Sequence, residues 1–153
     1  MATGVFDLLH PGHVAFLREA KRLGDELVVV VARDSTAKRF KHTPINPEAQ
    51  RVEMVDALKP VDRVILGNEG DIYEILDDVR PDVIALGYDQ VHNEEKILEE
   101  CRKRGLSRTK VVRLPKFEGD LDGTRKIVQR VADWLALNET LQRVEKPLPK
   151  RKA

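Results

Sequence analysis

Thr3-Gly4-Val5-Phe6-Asp7-Leu8-Leu9-His10-Pro11-Gly12-His13 is the stretch whose reading decides the fold. Met1 to Phe6 is short and apolar and ends in a turn. Pro11 to Leu23 then sets Val14, Leu17, Ala20 and Leu23 on one helical face. Pro11 suits the first position of a helix, and Gly24 suits its end. The segment therefore runs strand, tight turn, helix start. Gly4 and Gly12 let backbone come close to a ligand. The unpaired N–H groups and the positive dipole end of the helix favour a polyanion at that point.

The rest of the chain repeats the alternation. Glu26 to Ala32 is almost all Val and Leu, the pattern of a strand buried on both faces in a parallel sheet. Asn46-Pro47 reads as cap and first turn of a helix running to about Leu58, with Val52, Val55 and Leu58 inward. Asp62 to Gly67, Asp82 to Gly87 and Lys110 to Pro115 read as further strands. Asp71 to Val79 and Asn93 to Arg104 read as helices, the latter capped by Asn93 and stopped by Gly105. The last helix spans Asp122 to about Asn138, with Ile127, Val128, Val131, Trp134 and Leu135 inward. At about five residues, the first strand is short for a central one.

Five strands, each followed by a helix or helical turn, predict an α/β fold: a single-domain, Rossmann-like, doubly wound five-stranded parallel sheet with helices on both faces. Residues 1–140 form that domain, and 141–153 form a basic, proline-broken tail. The length of 153 residues suits one domain with a core of its own. With 41% hydrophobic and 35% charged residues the composition is that of a globular chain. A net charge of +1 supplies no basic field to drive nucleic-acid binding. Cys101 is the only cysteine, which excludes an internal disulfide and a cysteine zinc site; it reads as an inert packing residue. With no membrane-length apolar run and no signal peptide pattern, a cytoplasmic protein is expected.

In open parallel sheets, ligands bind beyond the carboxyl ends of the strands. That rule selects the loops Asp7 to Gly12, Arg33 to Lys41, Gly67 to Gly70, Gly87 to Val91 and Lys116 to Thr124, where most of the chemistry-bearing residues fall. His10 and His13 are three apart, so both project from the first helical turn. Two imidazoles there can donate hydrogen bonds to phosphate oxygens, and those bonds strengthen as charge develops on a pentavalent phosphorus. Catalysis of this kind needs positioning and charge stabilisation, with no covalent enzyme intermediate. A zinc site would need three or four ligands, and the other two histidines, His42 and His92, form no cluster with the pair. Other residues read two ways. Lys38, Arg39 and Lys41 are a solvated loop or a phosphate-neutralising run, and Arg51 is a surface ion pair with its glutamate neighbours or a substrate contact. Asp89 and Thr124 are turn and helix-start residues or ligand contacts.

His10-Pro11-Gly12-His13 after Gly4-Val5-Phe6-Asp7 resembles the H-x-G-H signature of the cytidylyltransferase-like nucleotidyltransferases. Leu23-Gly24-Asp25-Glu26-Leu27, Val31-Ala32-Arg33-Asp34, Arg51-Val52-Glu53-Met54-Val55, Lys59-Pro60-Val61-Asp62 and Leu86-Gly87-Tyr88-Asp89-Gln90 resemble the archaeal FAD synthase branch, over roughly residues 1–135. The resemblance implies that His10 and His13 hold the triphosphate and stabilise the transition state. Thr3, Gly4, Val5, Phe6, Asp7 and Gly12 would form its cradle, and Lys38 or Lys41 would neutralise phosphates. Arg51 would support the acceptor or triphosphate side, and Gly87 and Asp89 would line the nucleotide pocket. The second family signature, a Ser/Thr-rich helix start, is matched here by Thr124 and Arg125, with Asp122 and Gly123 in place of two hydroxyl residues.

The implied reaction is transfer of AMP from ATP to FMN with release of pyrophosphate. A divalent metal, Mg²⁺, is expected to come with the triphosphate, bound largely by substrate oxygens. ATP and FMN are the expected partners, a homodimer is implied, and no membrane or nucleic acid is expected. Phe6, Phe40, Tyr88 and Phe117 are candidates for an aromatic wall against the flavin. The alternatives are a cytidylyltransferase acting on a small alcohol phosphate such as glycerol 3-phosphate, and a non-catalytic nucleotide-binding module; the incomplete second signature supports the latter.

Overall fold

Four consecutive valines, Val28–Val31, form strand β2, and all four are buried. β-Branched side chains on both faces of one strand need cover on both sides, which a sheet with helices on both faces provides. The computed structural model describes residues 1–40 and 43–145. β2 pairs in parallel with β1 (Ala2–Gly4) and β3 (Arg63–Leu66), and β1 pairs with β4 (Val83–Leu86), which pairs with β5 (Lys110–Arg113). The order β3-β2-β1-β4-β5 makes β1 the centre and places the reversal of strand order beside it.

Register sorts the core into two layers. Ala2 pairs with Val29 and with Ala85, and these side chains join Val31, Leu17 and Val55 in one cluster. Leu17 comes from α1 (Pro11–Lys21) and Val55 from α3 (Glu48–Asp56). Ile84 and Leu86, one residue out of phase with Ala85, join Leu76, Ile97 and Cys101 on the opposite face. These come from α4 (Ile75–Val79) and α5 (Glu94–Lys103). Cys101 is 1% exposed, as its reading as a packing residue requires. Asn93 caps α5 by accepting from the Lys96 N–H, and Gly105 leaves it at φ +72°.

Three readings are corrected. Arg33 to Lys41 is not a loop throughout, because Asp34–Phe40 forms a helix, α2. Ala37, the one buried side chain among those described in α2, is too small to mark an apolar stripe in the sequence. Pro47, not Asn46, is the N-cap of α3, and the Asn46 side chain goes elsewhere. The third correction concerns the last helix, α6 (Thr124–Glu145), whose expected inward face is exposed: Val128, Val131 and Leu135 by about half and Trp134 by 62%. Periodicity identifies a face that favours cover; it does not identify what covers it. No helix among the described residues is long and apolar enough to cross a membrane.

Candidate active site

The carboxyl end of β1 turns abruptly into α1, and Phe6 makes the turn at φ +52°, a left-handed conformation that bulky residues rarely adopt. The ring repays the strain by burial: it is 2% exposed and lies so close to Gly4 that a Cβ there would sit 2.7 Å from two of its carbons. Its other contact is with His13, edge to face, with ring centroids 5.2 Å apart. His13 in turn stacks on His10 at 3.7 Å and 20°. Phe6 thus props the histidine pair from below.

His10 is the N-cap of α1, and its Nδ1 accepts from the backbone N–H of His13 at 3.3 Å. An imidazole accepting at Nδ1 carries its proton on Nε2, so Nε2 is the donor available to a ligand. Burial pushes the His10 pKa below the ordinary imidazole value, against the opposing pull of the Asp122 and Asp89 carboxylates. The neutral, Nε2-protonated form is therefore favoured, and it sits at the positive end of a helix dipole.

The loop after β5 closes onto the same turn. The carbonyl oxygen of Asp122 lies against Gly12, leaving no room for a side chain there. Asp122 accepts from the Gly119 N–H and pairs with Lys126 at 2.7 Å, which bends residues 119–126 over the start of α1. The two signatures, distant in sequence, meet at this contact. Thr124 begins α6 next to it, half-buried, with Arg125 exposed.

A model of the family described as Cytidylyltransferase-like matches residues 1–139. The chain belongs to the cytidylyltransferase-like family. Within it, the chain is 63% identical over 134 residues to the FAD synthase of Aciduliprofundum boonei, covering 87% of this chain and 89% of that protein. It is 54% identical to the FAD synthase of Archaeoglobus profundus, covering 87% and 85%. A crystal structure described as the lipopolysaccharide core biosynthesis protein of Thermoplasma volcanium superposes with a TM-score of 0.74 at 51% identity, covering 77% of this chain and 96% of that one.

This cytidylyltransferase-like chain gathers His10, His13, Phe6, Gly12 and the Asp122–Thr124 turn at one point, with Asp89 exposed but within electrostatic reach of His10. Gly87 starts the neighbouring loop. Other expected ligand contacts serve beneath the site. Arg51 has no exposed surface; it donates to the carbonyls of Val5 and Asn46 and pairs with Asp34 at 2.7 Å. Its guanidinium is thus engaged inside the protein and braces the turn after β1. Asp7 is also buried, its carboxylate accepting from the N–H groups of Ile45 and Asn46, while Asn46 Nδ2 donates to the Asp7 carbonyl. The hydrogen-bonded arrangement binds the turn to the segment before α3. Lys38 is exposed in the last turn of α2, and Lys41 lies outside the described residues.

Two braces went unread in the sequence. Gln90 donates from Nε2 to the Thr3 carbonyl and accepts from the Gly87 N–H, so one amide ties the loop after β4 to β1. Arg113 donates to the carbonyls of Gly87, Gln90 and His92 and pairs with Glu94. A polar residue near the end of each strand was the only signal, and it does not specify partners.

Proposed function

We propose that this chain is an FAD synthase, an FMN adenylyltransferase that moves AMP from ATP to FMN and releases pyrophosphate. The observation that carries the reading is the stacked His10–His13 pair at the N-terminus of α1, in a chain 63% identical to a FAD synthase over most of its length. A phosphate oxygen of FMN attacks the α-phosphorus of ATP in line. One P–O bond forms, the bond to the β-phosphate oxygen breaks, and pyrophosphate leaves. His10 Nε2–H and His13, at the positive end of α1, would donate to the oxygens on which charge accumulates. Thr124, the first residue of α6, would meet the β- or γ-phosphate. A buried Arg51 keeps these donors in register and does not touch substrate.

No three His, Cys, Asp or Glu side chains converge as a metal group among the described residues. We assign Mg²⁺ to the phosphate oxygens of ATP, where it would neutralise charge on the departing pyrophosphate. A buried free thiol at Cys101 suits the reducing cytoplasm, where we place the enzyme. Two copies would pair through α6, whose exposed Val128, Val131 and Leu135 are spaced i, i+3, i+7 along a 22-residue helix, the spacing that lets like helices pack. Chromatographic detection of FAD after incubation with ATP, FMN and Mg²⁺ tests the assignment; absence of FAD from folded protein overturns it.

A further inference from the structure

The face of the sheet opposite α1 carries an apolar cleft that the phosphate chemistry does not use. The crossover from β3 to β4 includes a helix of only five residues, α4, and a cavity beside it is lined by Thr3 and Gly4 of β1 and Val30 of β2. The cavity measures about 250 Å³. Val30, Ile72, Tyr73 and Val91 line it, together with Thr36 and Arg33. Arg33 is already paired with Glu48 at 3.2 Å and donates to the Gly67 carbonyl, so it brings little free charge. Val91, among the lining residues, is 86% exposed. Thr3, Gly4 and Val5 line the cleft too, and the same backbone leads directly into Phe6 beneath His13.

We propose that this cleft seats the isoalloxazine ring of the acceptor, with the ribityl phosphate running along the end of β1 towards His10. The identity of the acceptor rests on the FAD synthase reading above. A cavity below the roughly 300–1,000 Å³ of clefts that swallow a whole drug-sized ligand suits one ring system. A cleft lined mainly by aliphatic side chains, with Thr36 and Tyr73 among its lining and Lys96 Nζ 5.8 Å from the Tyr73 ring centroid, suits an uncharged flat heterocycle. Of the four aromatic residues expected to wall the flavin, Phe6, Tyr88 and Phe117 do not line this cleft. Phe6 belongs to the other core layer, Tyr88 lies under Lys116, and Phe117 lines a groove beside α1; the Phe40 side chain is not among those described.

Flavin fluorescence, measured without ATP, follows binding of FMN and of riboflavin, which carries the ring without the phosphate. Ile72→Arg places a charge in the apolar lining and should weaken both flavins about tenfold, with the KM for ATP changed less than about twofold. Val91→Glu, at an exposed position that folding does not depend on, should weaken riboflavin in the same direction. Unchanged flavin binding in both variants overturns the proposal even where the wild type makes FAD. Cleft-dependent flavin binding without FAD formation supports the proposal and sinks the functional reading. Wild-type protein that binds neither flavin overturns both.

Discussion

The carbonyl oxygen of Asp122 rests against Gly12, in the space that any side chain at that position would occupy. Gly12 is therefore fixed by a neighbour 110 positions away in sequence as well as by the approach of a ligand. Gly12→Ala should push the 119–124 turn off the start of α1 and separate the two groups of phosphate donors. We expect kcat to fall about 100-fold, the scale of a displacement of about 1 Å in a positioned site. Steady-state kinetics on folded protein check this, and near-normal turnover would show that the contact is incidental.

His10 has two roles that substitution can separate. His10→Ala removes both the Nε2 donor and the Nδ1 cap, so kcat should fall about 100-fold or more and stability by about 1 kcal/mol. His10→Asn retains a capping oxygen, so its melting temperature should lie nearer the wild type while kcat stays low. His13→Ala should match the loss in kcat with little change in KM. Kinetics paired with thermal melts separate the two effects.

Burial lowers the His10 pKa, and the Asp122 carboxylate opposes that shift. The acid limb of kcat/KM should therefore lie below about 6.5, the ordinary imidazole value. Asp122→Asn removes a charge that favours the imidazolium, so it should move the limb to still lower pH. Because the folded value is below the unfolded one, this group's effect on stability appears as pH falls through the unfolded value: stability drops, then levels off beneath the folded value. A pH profile of the pair decides the sign.

Arg51 is a brace, and losing it strands Asp34 and two carbonyls. Arg51→Ala should cost about 1–3 kcal/mol, the scale for stranding a hydrogen-bond partner, with less from Asp34, whose side chain is 36% exposed. Urea denaturation measures it. A stable variant with a raised KM for ATP would instead return Arg51 to the substrate.

Trp134 is 62% exposed on α6, so Trp134→Ala should leave the stability of a single chain within about 0.5 kcal/mol. If α6 pairs two copies, Trp134→Glu should shift the protein from dimer to monomer in sedimentation, with catalytic residues untouched.

The sequence made the sheet legible because its signals are local. The Val28–Val31 run, the Asn93 cap and the His10-Pro11-Gly12-His13 turn each announce themselves within a few residues. What stayed hidden depends on partners far along the chain. Arg51 reads as a surface ion pair or a substrate contact, yet it reaches the carbonyl of Val5, 46 positions earlier. Asp7 looked like a ligand contact, yet its carboxylate is occupied by backbone at Ile45 and Asn46. Trp134 showed core spacing, but spacing could not supply the surface that would bury it.

Pyrophosphate release from the purified chain, with Mg²⁺ and each of ATP and CTP, with and without FMN, tests the central claim most directly. The account predicts release only when ATP and FMN are both present. Release with CTP and no need for FMN, or silence in every combination from folded protein, would contradict it.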